Sequence, residues 1–158
     1  MEQEHKSVKK MWEDYLKSIG EDSKSTEKNY DSWYFCDNEK DAHELAELVK
    51  QGVKRGTSSL HYLCELEGEE LSQAGDLSII TNYQGIAQCI IQTKKVTVLP
   101  FKDVTEEYAI IEGEGDKSLK YWQDVHIDVF RRELKDIGKK FSEDMLIEFE
   151  EFELIYKD

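Results

Sequence analysis

The sequence predicts an α+β domain whose sheet of about six strands curls into a small β-barrel flanked by helices. Three observations point there. Apolar residues keep helical spacing in the first fifty residues and again after residue 103, but alternate with period two through the middle of the chain and at its close. The helices sit at the edges of the strand-rich region rather than interleaving with it, which disfavours a parallel α/β sheet. No internal repeat and no Pro-rich or Gly/Ser-rich linker divides the 158 residues, and Pro100 is the sole proline, so one domain is expected.

Val8, Met11, Trp12, Tyr15, Leu16 and Ile19 form the stripe of an amphipathic helix, with Ser7 and Gly20 suited to its ends. A polar loop over 21–28 leads to an aromatic strand at Ser32–Cys36. Asp37 or Asn38 then caps a second helix whose apolar face is Ala42, Leu45, Ala46 and Val49, and Gly52 stands where a left-handed stop is expected. Strands follow at Ser59–Leu66, Leu77–Thr81, Ile86–Gln92 and Lys95–Leu99, separated by Gly68, Gly75 and the Asn82–Gly85 turn. Acids behind Asp103 and Thr105 favour a short helix to about Ile111, ended by Gly113 and Gly115. From Ser118, the residues Leu119, Trp122, Val125, Val129, Phe130, Leu134 and Ile137 mark one side of a longer helix closed by Gly138. In the terminal strand Met145, Ile147 and Phe149 alternate in one phase and Phe152, Leu154 and Tyr156 in the other, so a bulge is expected at Glu150–Glu151.

Composition narrows the function. Apolar residues at 39%, of which aromatics make up 11% of the chain, are enough to build a core and exclude disorder for most of the chain. No apolar run approaches the ~18 residues of a membrane span, and MEQEHKSVKK lacks the apolar stretch of a secretory leader. A soluble cytoplasmic protein is expected. Twenty-one basic against thirty-five acidic residues leave a net charge of −14, which repels long polyanions and argues against duplex DNA. Two islands interrupt the acidity, Lys50, Lys54 and Arg55 in one and Lys94, Lys95 and Lys102 in the other. Cys36, Cys64 and Cys89 form no paired motif, and His5, His43, His61 and His126 have no metal-binding spacing, so neither disulfide framework, metal site nor cofactor is expected.

Two segments carry groups suited to chemistry. Gly52-Val53-Lys54-Arg55-Gly56-Thr57-Ser58 leaves a helix, turns through two glycines and enters a strand, so its amides can approach a ligand and Lys54 stands beside the Thr57 hydroxyl. Such a pair can move a proton or stabilise an oxyanion; it is also ordinary turn composition. In Glu112-Gly113-Glu114-Gly115-Asp116 the acids alternate as in a calcium loop, but Gln123 stands where a bidentate Glu is required, which rejects calcium. Glu112 remains a loop-borne acid or base. Trp122 and His126, four apart on a helix, read as core packing.

Taken together, the Gly-x-Lys-x-x-Thr loop, the stretch from Asp103 through Tyr108-Ala109-Ile110-Ile111-Glu112 to Asp116, Leu119–Trp122 and the strand Glu148-Phe149-Glu150-Glu151-Phe152 resemble the ASCH (activating signal cointegrator homology) domain, in its longer bacterial branch of cytosolic proteins. The resemblance covers about residues 33–157 and implies a domain at 32–158, with a helix and loop at 1–31 packing on it. It implies a PUA-like barrel with a cleft beside the loop and an association with RNA or modified nucleosides. One small member removes the acetyl group of N4-acetylcytidine with a lysine, a threonine and a glutamate, which correspond to Lys54, Thr57 and Glu112; Tyr108 stands where that member has histidine. On that reading Thr57 attacks the acetyl carbonyl or positions water, Lys54 handles the proton or oxyanion, and Glu112 protonates the departing amine, without a metal. Gly52, Arg55, Gly56, Ser58 and Ser118 are the expected ligand-binding neighbours. The alternatives are an RNA-binding module or ribonuclease with a basic cleft around Lys54, Tyr62 or Tyr83 stacking on bases, and a cleft turned to another small ligand or a protein partner.

Overall fold

A computed structural model describes residues 3–158. Among these residues five α-helices, α1 (Lys6–Ser18), α2 (Glu39–Lys50), α3 (His61–Leu66), α4 (Glu106–Glu112) and α5 (Leu119–Lys135), surround one sheet of β1 (Asp31–Trp33), β2 (Gly56–Leu60), β3 (Leu77–Thr81), β4 (Ala87–Pro100) and β5 (Leu146–Tyr156). The spatial order is β1-β3-β4-β5-β2, with β1 parallel to β3 and every other pair antiparallel. The sheet curls into a half-barrel of five strands, so the α+β class holds. Among the described residues no helix is long and apolar enough to cross a membrane.

Both faces of the sheet are covered. Ile79 and Ile90 pair across β3 and β4 and meet Val8, Met11, Trp12 and Leu16 of α1. Their neighbours Ile80 and Cys89, which point to the opposite face, meet Leu45, Ala46 and Val49 of α2. A third core joins Leu60 and Ile147 to Phe101 and to Trp122, Phe130 and Leu134 of α5. This double covering accounts for the change of phase in β5. Ile147 packs towards α5 and Phe152 towards α2, with no slip at Glu150–Glu151, where β2 pairs in regular register. The β4–β5 ladder breaks instead at two other places, where Lys94 of β4 has no partner between Thr93 and Lys95 and where Ile155 of β5 is skipped between Leu154 and Tyr156.

Two other expectations change for related reasons. The strands expected at Ile86–Gln92 and Lys95–Leu99 are one long strand, β4, carried through the irregularity at Lys94, which reduces six strands to five. Strand β2 stops at Leu60 and α3 begins at His61, because Leu60 pairs with Ile147 and β5 starts only one residue earlier, leaving the strand nothing further to bond. At the start of α1, His5 rather than Ser7 accepts the amide of the first turn, since the Ser7 hydroxyl accepts from the Ala87 amide at 2.9 Å. Asn38 caps α2 as read, accepting from the Asp41 amide at 2.9 Å.

Gly113 closes α4 at φ +70° and lets two backbones meet: a Cβ there would lie 2.2 Å from the Val53 carbonyl oxygen. Gly52 has the same hand at φ +76° with open space around it. Gly52→Ala should therefore cost about 1–2 kcal/mol of left-handed strain, whereas Gly113→Ala should cost roughly 3 kcal/mol or more because the strand-side backbone must also move. Urea denaturation of both variants measures the difference; equal losses would mean that the α4 terminus has room to spare.

Candidate functional site

The loop after α2 is held by its backbone. The Arg55 amide donates to the Ile111 carbonyl at 2.8 Å and the Arg55 carbonyl accepts from the Phe152 amide at 2.9 Å, which ties the loop to α4 and β5 at once. The Arg55 side chain and Gly52 are both left exposed on the surface. Gly56 is buried against the Phe149 ring and Ile111, both within 2.9 Å of where a Cβ would stand. With the loop pinned, Lys54 turns inward and is only 2% exposed.

Its Nζ donates to the Gly56 carbonyl at 2.7 Å and to Glu114 Oε2 at 3.4 Å, and lies 3.6 Å from Glu112 Oε1 and 5.1 Å from the Phe35 ring centre. Glu112 is 1% exposed. Ser58 Oγ donates to its Oε2 at 2.6 Å, the Trp122 indole N–H donates to the same oxygen, and His126 Nε2 lies 3.4 Å from Oε1. His126 stacks on Trp122 at 4.2 Å, and its Nδ1 faces the Trp122 carbonyl at 2.7 Å. Both ring nitrogens thus face acceptors, the arrangement of an imidazolium. Two cations, Lys54 and His126, balance two carboxylates, Glu112 and Glu114.

Burial alone would raise the Glu112 carboxyl, but His126 above all, then Lys54 and Ser58, draw it down to about 2. Burial alone would lower His126; the Glu112 charge outweighs it and the ring is raised. Glu112, Glu114 and His126 bring ligand atoms within 4.8 Å of one another, as a metal site does. The Lys54 ammonium stands against both carboxylates, however, and a divalent ion there would meet a fixed positive charge.

The cluster forms one wall of a cleft of about 1170 Å³. Lys54, Thr57, Ser58, Glu114 and His126 line it, whereas Glu112 lies behind them and reaches it only through its partners. Ser118 is the N-cap of α5, accepting from the Tyr121 amide at 3.1 Å, and is not among the lining residues. Tyr108 packs edge-on against Phe149 at 4.7 Å, so the imidazole beside Glu112 comes from α5 instead. The aromatic lining is Trp33, Tyr34, Phe35 and Phe130; Tyr62 lies under Lys139 and Tyr83 against Tyr34, both outside the lining. The expected basic cleft is not there. Ten acidic residues line it against Lys54, His126 and Arg132, and Arg132 is itself paired with Asp37 and Asp128. Arg55, Lys94 and Lys95 lie elsewhere on the surface.

The Glu112 carboxylate contributes stability above its ordinary pKa of 4.5, and that contribution fades as pH falls from there towards about 2. Glu112→Gln leaves Lys54 and His126 under-compensated and should cost about 3–5 kcal/mol at pH 7. In urea melts taken across pH, the gap between the variant and the wild type should narrow through that window. A gap independent of pH would show that Glu112 is not ionised in the native protein.

A family model for the ASCH domain matches residues 31–156. No curated protein matches the chain. Among solved structures, the ASCH domain from Lactobacillus crispatus JV V101 aligns with a TM-score of 0.89 at 36% identity, over 99% of this chain and 98% of that one. A protein from Enterococcus faecalis V583 aligns with a TM-score of 0.83 at 32% identity, over 95% of this chain and 88% of that one. The half-barrel, the cleft beside the Gly-x-Lys-x-x-Thr loop and these matches agree: the chain belongs to the ASCH domain family, which is PUA-like and in general related to RNA.

Proposed function

We propose that the cleft takes a modified pyrimidine nucleoside and hydrolyses its exocyclic amide without a metal, N4-acetylcytidine being the substrate class in view. The observation that carries this reading is the gathering of Lys54, Thr57 and Glu112 around one cleft wall. The lining supports the nucleoside over an RNA chain. Ten carboxylate residues disfavour a row of phosphates, while the partly exposed rings of Trp33 and Tyr34 offer stacking faces to a single neutral base. RNA then enters as the source of the nucleoside rather than as the bound polymer. The three cysteines are free, which suits the reducing cytoplasm where we place this activity.

In this mechanism Lys54, anchored on the Gly56 carbonyl, presents an ammonium N–H to the acyl oxygen and later a proton to the departing amine. Thr57 holds the attacking water. Glu112 is too firmly ionised to be the proton donor; it orients Lys54, Ser58 and His126 and compensates the charges of Lys54 and His126.

Incubating the purified chain with N4-acetylcytidine should release cytidine, and Lys54→Ala and Thr57→Ala should each lower kcat/KM by about 100-fold or more. The nucleoside should also be preferred over its 5′-monophosphate, with the preference shrinking as salt screens the cleft. Absence of turnover on N4-acylated cytidines, together with salt-dependent binding of short single-stranded RNA, would reverse the assignment.

A further inference from the structure

Glu150 is a cleft carboxylate to which the mechanism above gives no part. In the register of β2 and β5, Thr57 stands opposite Glu150 and Ser59 opposite Glu148, so these four side chains leave the same face of the sheet, and all four line the cleft. Glu148 is engaged by His61 Nδ1 at 2.8 Å. Glu150 accepts from the Thr93 hydroxyl through Oε1, and among the described residues it has no cationic partner. Its Oε2 makes no hydrogen bond to them and is not sealed from solvent, since no buried side-chain oxygen lacks a partner. The Lys54 ammonium, meanwhile, is fixed on the carbonyl of the peptide that joins Gly56 to Thr57. Thr57 and Glu150 thus face one another across the β2–β5 seam on the cleft side, while the Gly56 carbonyl, which alternates with the Arg55 carbonyl bonded to β5, holds Lys54 at the outer edge of β2.

Resting on the amide-hydrolysis reading, we propose that Glu150 is the general base of this site, taking the proton of the water that Thr57 holds. As that water's oxygen bonds to the acyl carbon, its proton passes to Glu150 and the carbonyl electron pair moves onto the acyl oxygen beside Lys54. When the pair returns, the C–N bond breaks and the amine leaves with a proton from Lys54. Water carries the proton on Glu150 back to Lys54, and the acid and amine products depart with the enzyme restored.

The other two carboxylates of the site are poorer bases. Glu112 is held ionised by its donors, and Glu114 is paired with Lys54 at 3.4 Å. Burial pushes the Glu150 carboxyl up, the Thr93 hydroxyl opposes the push, and the charges of Asp76 and Glu148, which face it, add to it. A carboxylate so raised accepts a proton more readily.

The test uses the whole chain with N4-acetylcytidine from pH 4 to 9. Glu150→Gln keeps an oxygen for the Thr93 hydroxyl, so it should fold. It should lower kcat about 100-fold or more with little change in KM, and abolish the acidic limb of the kcat/KM profile. Glu150→Asp should recover part of the rate and the limb, while Glu148→Gln, on the same face, keeps the limb. A Glu150→Gln enzyme that retains kcat within about twofold, or keeps its acidic limb, overturns the assignment while leaving amide hydrolysis standing. A wild-type protein that releases no cytidine rejects the amide-hydrolysis reading and Glu150 with it.

Discussion

The buried pairing of Lys54 with Glu112 is the constraint around which the rest of the site is arranged. Neither group tolerates removal from water alone, and a buried ion pair persists only where its remaining hydrogen-bonding capacity is met. Here it is met from four directions: the Gly56 carbonyl, Glu114, Ser58, and the Trp122–His126 pair of α5. Gly113 lets α4 end against the Val53 carbonyl, and the Arg55 backbone fastens the loop to Ile111 and Phe152. The placement of α4 and α5 on the sheet is thereby bound to the electrostatics of two side chains.

The same arrangement separates two electrostatic environments a few ångströms apart. Within the wall, charges cancel and hydrogen bonds are fixed, so a polar reacting group meets oriented donors that need no rearrangement. Outside it, the cleft carries a surplus of carboxylates in line with the −14 of the whole chain. That surplus disfavours a ligand bearing phosphate, and the ring surface the cleft leaves accessible comes from Trp33 and Tyr34.

The parts of the fold legible in the sequence were those set by local rules. The stripe of α1, the Asn38 cap and Gly52 stop of α2, and β3 at Leu77–Thr81 all follow from spacing and capping. What escaped depended on neighbours far along the chain. Nothing in His61–Leu66 reveals that the partner strand ends opposite Leu60, and the two phases of β5 look like a bulge until helices are seen on both faces. In the site, Lys54 and Glu112 were visible because each closes a glycine-bearing turn. His126 and Trp122 looked like ordinary core positions, and only the burial of Glu112 between them shows otherwise. The acidity of the cleft was hidden for a similar reason: Asp31, Asp76, Glu133 and Glu150 come from separate segments, whereas a linear scan sees only islands of lysine.

The sheet order has a consequence for biosynthesis. Because β5 lies between β4 and β2 and follows both in the chain, β2 waits with its hydrogen-bonding edge unsatisfied while the other strands of the sheet are already available to fold. Closure of that seam is a long-range event, slow by the usual dependence on contact order. Thr57 and Glu150 lie on its two sides, so that wall of the cleft is complete only once β5 has been made and paired. A nascent chain stalled short of β5 would carry the helices and most of the sheet, yet offer a bare strand edge for other chains to pair with.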